Sequence, residues 1–166
     1  MMDKRNTEKD FVKLINEYQG LIHKVSFIYE RNDENRKDLF QEIVLQLWRA
    51  FPSFKGQAKI TTWIYRIALN TAISSLRKTS RTPESTDLDN QKFQIADDNE
   101  SASRREQFQM LENAINQLSE IEKAMIMLYL DEIPYEEIAE TLGITQNNVR
   151  VKMNRIREKL KKIMKA

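Results

Sequence analysis

Apolar residues recur along this chain at three- and four-residue steps, and that period predicts helices almost throughout. Phe11, Leu14, Ile15, Tyr18, Leu21, Ile22, Val25 and Ile28 mark a first amphipathic helix from about Thr7 to Glu30. A second helix spans Asp33 to Ala50, and "FPSFKGQAK" breaks the pattern before a third from Thr61 to Lys78. Further on, Phe108, Leu111, Ile115 and Leu118 mark a helix, "EIEKAMIMLYL" the next, and "YEEIAETLGITQNNVRVKMNRIREKL" two more. The three glycines and three prolines fall mostly where helical patterns end, and strands are not expected. No internal repeat of fixed period is visible.

Between Pro83 and Glu100 the period disappears, and six acids stand against one lysine among few apolar residues. Residues 79–103 are therefore expected to be a flexible acidic linker. The predicted fold class is all-α: two small helical domains, 1–78 and 104–166, the second a helix-turn-helix. With 40% hydrophobic and 31% charged residues in a chain of 166, each half has a small core and suits a partner that fixes its arrangement. The chain has no cysteine and one histidine, His23, within an amphipathic helix. Disulfides, thiol catalysis and a Cys/His zinc site are excluded, and neither cofactor nor metal is expected. No P-loop or His-Glu metal motif supports an enzyme, and no catalytic residue is assigned. With no apolar leader and no run of about 18 apolar residues, the chain reads as soluble and cytoplasmic.

The net charge of +2 hides an asymmetry: residues 145–166 carry eight Lys or Arg and one acid, Glu158. A helix-turn-helix needs a small residue where its helices cross, a turn residue tolerant of positive φ, and apolar residues locking the second helix to the first. Ala139, Gly143 and the set Ile138, Leu142, Ile144, Val149 and Met153 meet these needs, and Thr145 suits the N-cap of the last helix. Val149, Met153, Ile156, Leu160 and Ile163 form the buried stripe of that helix. Asn147, Asn148, Val151, Asn154 and Arg155 lie opposite, and these amides, arginine and valine suit base edges in a major groove. Gln146 begins the same helix, and Arg150, Lys152, Arg157, Lys159, Lys161 and Lys162 are placed to neutralise phosphates. The plainer reading, a solvated cationic face on a bundle helix, leaves the turn, the small residue and the charge asymmetry without a common cause.

In "DLFQEIVLQLWRAF", Leu39, Phe40, Ile43, Val44 and Leu47 are expected inward. Asp38, Glu42, Leu45 and Arg49 point outward, with Gln41 and Gln46 at the margins. Such a face is either a protein-binding surface or a solvated one with a stray leucine. The following segment interleaves Phe51, Phe54, Lys55, Lys59, Trp63 and Tyr65, while Trp63, Arg66, Asn70, Ser74 and Arg77 share one stripe. Aromatic and basic residues in that arrangement suit stacking on unpaired bases; aromatics at helical spacing equally suit a core.

"DLFQEIVLQLWRAFPSFKG" with "TTWIYRIALNTAISSLRK" resembles region two of the extracytoplasmic function group of bacterial sigma factors. "LSEIEKAMIMLYLDEIPYEEIAETLGITQNNVRVKMNRIREKL" resembles its region four. The resemblance covers nearly the whole chain. It implies a promoter-specificity subunit that joins core RNA polymerase, recognises two promoter elements and helps melt DNA, the polymerase doing the catalysis. It implies docking on the β′ coiled coil through Asp38, Gln41, Glu42, Leu45, Gln46 and Trp48, and a further contact with the β flap. Reading of the minus-ten element then falls to Lys55, Gln57, Lys59, Thr61, Thr62, Trp63, Arg66 and Asn70, with melting by capture of unpaired bases. Reading of the minus-thirty-five element falls to Gln146, Asn147, Asn148, Arg150, Val151, Lys152, Asn154 and Arg155. The acidic linker would follow the RNA-exit path. The resemblance adds an anti-sigma factor to the partners, commonly membrane-anchored, and no small-molecule substrate. It implies a cytoplasmic protein, at the nucleoid when in holoenzyme or at the inner membrane face when held by that factor. Pro134 stands where the family often has a Ser or Thr cap, and Gln146, Asn147, Asn148 and Val151 depart from the commonest family residues. A stand-alone operator-binding regulator is the alternative; it leaves the N-terminal signature unexplained.

Overall fold

The computed structural model describes residues 4–80 and 102–165, which are helical apart from short turns. The chain divides into two compact units, Met1–Asp89 and Asn90–Ala166. Most of the expected linker, 81–101, lies outside the described residues.

The first unit contains α1 (Lys4–Tyr29), α2 (Asp33–Ala50), a 3₁₀ turn (Phe51–Ser53) and α3 (Ile60–Ser80), and each of the three α-helices packs on the other two. Ile22 and Val25 of α1, Leu39, Ile43 and Leu47 of α2, and Ile64, Ala68, Leu69 and Ala72 of α3 fill its core. Phe40 and Val44, expected inward, are half-buried at the edge of that set. The α1–α2 turn closes through two residues. Asn32 caps α2 by accepting from the Glu34 and Asn35 backbone N–H groups at 2.9 and 3.1 Å. Arg36 donates to the Glu30 and Arg31 carbonyls, left over at the end of α1, at 3.2 and 3.0 Å. Its guanidinium also lies 4.9 Å from the Phe27 ring centroid.

The second unit contains α4 (Ala102–Asn116), α5 (Glu120–Leu130), α6 (Tyr135–Leu142) and α7 (Gln146–Lys165). Helix α7 meets each of the other three. Five successive residues of α5, Ala124 to Leu128, are buried, so this helix is covered on every side over one and a half turns. Ser119 and Glu122 start it with a reciprocal capping box: the Glu122 N–H donates to Ser119 Oγ at 3.2 Å, and the Ser119 N–H to Glu122 Oε1 at 2.9 Å. The expected stripe on α4 needs one correction. Ala114 and Leu118 are buried, but Phe108 is 41% exposed, because α4 is covered only from Leu111 onward.

Candidate nucleic-acid and protein interfaces

Helix α6 ends at Gly143, whose φ of 69° and ψ of 33° reverse the chain in the left-handed region. The Ile144 N–H returns to the Ala139 carbonyl at 3.1 Å, joining the Gly143 N–H there and closing the turn. Thr145 then caps α7, its Oγ1 accepting from the Asn148 N–H at 3.1 Å. Ile138, Ala139, Val149 and Met153 are buried where the two helices meet, with Leu142 and Ile144 half-buried beside them. Pro134 is the N-cap of α6, extended at φ −61° and ψ 150°, and makes no side-chain cap; its carbonyl accepts from the Ile138 N–H at 3.0 Å.

Gln146, Asn147, Asn148, Arg150, Val151, Lys152, Asn154 and Arg155 are all exposed; Asn147, Asn148, Val151, Asn154 and Arg155 lie opposite the buried stripe, with Gln146, Arg150 and Lys152 on its flanks. They form one surface of amides, cations and a single valine, Val151, 41% exposed. Two cations expected on the flanks are engaged within the unit. Arg157 Nη2 donates to the Tyr135 hydroxyl at 3.2 Å, and its guanidinium lies 4.6 Å from the Tyr129 ring centroid. Lys159 Nζ donates to Glu122 Oε1 at 3.0 Å. Burial alone would raise the Glu122 carboxyl. The hydrogen bond from the Ser119 backbone, those from Lys159 and the Ser119 hydroxyl, and the lysine's charge outweigh it and hold the group below its ordinary value.

On α2, Asp38, Gln41, Glu42, Leu45, Trp48 and Arg49 are exposed and Gln46 is half-exposed. Gln46 Nε2 donates to Glu42 Oε1 at 2.9 Å, ordering two of these polar groups one helical turn apart. The Trp48 ring packs on Phe11, 4.9 Å between centroids, and still exposes 39% of the residue. A groove of about 680 Å³ runs between α2 and α3, lined by Asp38, Glu42 and Gln46 on one wall and Asn70, Ser74 and Lys78 on the other. It brings Asn70 of the α3 stripe beside the α2 face, which sequence spacing alone does not reveal.

Trp63 belongs to both readings weighed for it. It is half-buried, stacks with Phe54 at 4.8 Å, and lies 6.4 Å from Phe51, which in turn meets Phe11 at 5.4 Å. This aromatic chain ties the turn to α1 and leaves part of the Trp63 ring at the surface. Lys55, Gln57, Lys59 and Asn70 are exposed, with Thr61 and Arg66 half-buried. Two residues fall elsewhere. Thr62 is 3% exposed and Tyr65 4%, because they share the inward face of α3 with Leu69 and Ala72, at three- and four-residue steps. In this conformation the Thr62 side chain presents no surface to a ligand. His23 is exposed on α1 and stacks on Phe40 at 4.3 Å. Among the described residues no group of three or more His, Cys, Asp or Glu could hold a metal ion, and no helix is long and apolar enough to cross a membrane.

Comparison with known proteins gives two family matches in chain order, Sigma-70 region 2 over residues 14–82 and Sigma-70 region 4 over 108–160. The ECF RNA polymerase sigma-E factor of Escherichia coli K12 is 31% identical, across 93% of this chain and 86% of that protein. The sigma-E factor of Haemophilus influenzae is 28% identical across 91% and 85%. Among solved structures, the sigma factor RpoE of Bartonella quintana, in complex with the anti-sigma factor NepR, matches with a TM-score of 0.71 at 20% identity. That match covers 95% of this chain and 98% of RpoE. CnrH, in complex with the cytosolic domain of CnrY, matches with a TM-score of 0.68 at 16% identity. These two structural matches speak to fold.

Proposed function

The chain belongs to the extracytoplasmic function group of the sigma-70 family, a sigma subunit of RNA polymerase and not a stand-alone regulator, and from that premise we propose how its residues divide the work. The α7 surface from Gln146 to Arg155 enters the major groove of the minus-thirty-five element. The single observation that carries this is the exposure of all eight named residues, five of which, Asn147, Asn148, Val151, Asn154 and Arg155, are turned away from a buried stripe. Asn147, Asn148 and Asn154 offer paired donors and acceptors, Arg155 a guanine partner, and Val151 a contact for a thymine methyl.

In the first unit, Asp38, Gln41, Glu42, Leu45, Gln46 and Trp48 form the docking face for the β′ coiled coil. Lys55, Gln57, Lys59, Thr61, Trp63, Arg66 and Asn70 meet the minus-ten element. The surface edge of Trp63 stacks on an unpaired base, and Lys55 and Lys59 neutralise the strand beside it. Thr62 supports this surface from the core side rather than touching DNA. Strand opening is driven by capture of unpaired bases, and the chemistry of RNA synthesis belongs to the polymerase. Residues 79–103 join the two grips, and region four also contacts the β flap. The protein works in the cytoplasm, at the nucleoid when in holoenzyme. An anti-sigma protein is among its partners, supported by the complex in which RpoE is found.

Core polymerase reconstituted with this chain, followed by sequencing of the RNA 5′ ends, tests the proposal. The expected result is a set of starts sharing two spaced elements. Failure to direct initiation on any genomic template would refute it.

A further inference from the structure

Arg157 and Lys159 sit among the cations of α7, yet both are committed to neighbouring helices of the same unit. At 100° per residue the apolar stripe of buried Val149, Met153 and Ile156 and half-buried Leu160 and Ile163 has one centre line. Arg157 and Lys159 project roughly 80° to either side of it. On one side, the Arg157 guanidinium lies against the Tyr129 ring, at the end of α5, and donates to the Tyr135 hydroxyl, at the start of α6. On the other, Lys159 reaches a Glu122 carboxylate already fixed by the capping box of α5. The two contacts act as outriggers against rotation of α7 about its own axis.

We infer that Arg157 and Lys159 are positioning residues that set the roll of α7, and so the register of its base-reading face, rather than phosphate contacts; this rests on the reading of α7 as the minus-thirty-five helix. Magnitudes support the role. At a side-chain radius of roughly 5–6 Å, a roll of about 20° moves a reading group by about 2 Å. Useful hydrogen bonds tolerate only about 0.5 Å in donor–acceptor distance. The apolar stripe holds α7 against the unit, through a driving force that is itself non-directional. Polar contacts on both flanks add distance- and angle-dependent tethers to that packing.

The test uses holoenzyme assembled from full-length chain, binding promoter DNA with a matched or scrambled upstream element over a salt series. Tyr135→Phe removes the acceptor without changing any charge, and Arg157→Gln removes the guanidinium, and with it both the Tyr135 bond and the Tyr129 contact. Each is expected to lower the matched-to-scrambled affinity ratio about five- to tenfold, comparable to misaligning one base contact. The double variant should fall no further than Arg157→Gln alone. The dependence of log affinity on log salt should keep the parent's slope in both. A slope shallower by about 0.9 in Arg157→Gln marks a lost phosphate contact and overturns the inference. An unchanged ratio with only a lower melting temperature marks a purely stabilising role and overturns it too. Should Arg157→Gln not fold, Tyr135→Phe decides alone, and Glu122→Gln decides Lys159 by the same two readouts. If the parent itself shows no preference for the matched element, the reading of α7 fails, and the positioning role falls with it.

Discussion

Gly143 makes the α6–α7 turn by occupying φ 69°, and a Cβ built there meets nothing within 4 Å. Gly143→Ala therefore meets no clash and bears only the left-handed backbone strain, about 1–2 kcal/mol, partly offset by the reduced freedom of the unfolded chain. A net loss of about 1 kcal/mol is expected, read as a lower denaturation midpoint with an unchanged slope. Glu132 presents the converse, a non-glycine residue at φ 59° between α5 and α6. Glu132→Gly should be neutral to slightly stabilising in the same assay, unlike nearly every other glycine substitution on this surface. Glu122 carries a pH dependence of known sign. Its folded-state pKa lies below the ordinary value, so its contribution is present above the ordinary carboxylate range and is lost as pH falls through the lowered value. Glu122→Gln should destabilise the protein near neutrality, and the gap to the parent should narrow as pH falls below the ordinary carboxylate range. A gap that stays constant across that range would show that the carboxylate's charge does not matter there.

At the scale of elements, α7 separates two kinds of contact. Asn147→Ala and Arg155→Ala are each expected to relax base preference at the upstream element, by about 1–3 kcal/mol of discrimination. Lys162→Ala, on the exposed tail, should weaken matched and scrambled DNA alike and make the salt dependence shallower. Equal losses on both DNAs for all three variants would remove the reading face from α7. The elements themselves were legible to different degrees. Helix α2 occupies the range its periodicity predicts, Asp33–Ala50, and α6 ends at the turn residue expected, Gly143, because Asn32 and Gly143 punctuate them locally. Helix α4 shares the period, yet Phe108 lies exposed. A helical stripe says which residues could face a neighbour, not how far along the helix that neighbour extends.

At the scale of the whole molecule, each grip is a separate unit, and a variant in one should leave the other's chemistry intact. Glu42 is exposed on α2 and hydrogen-bonded to Gln46, so Glu42→Lys reverses a charge on the docking face without opening the core. It should reduce capture of core polymerase in a pull-down while helical content and DNA contacts of α7 persist. Undiminished capture would exclude Glu42 from the docking face. The sequence by itself determined the all-helical architecture, the turn at Gly143 and the outward face of α7. Each follows from backbone preference or periodicity within a few residues of chain. Only the tertiary structure decided that Thr62 and Tyr65 belong to the core, that Asn70 shares a groove with Glu42, and that Arg157 and Lys159 bind their own unit. Those outcomes depend on which residues of other helices stand opposite, and pairing across tens of residues leaves no period in the chain to read.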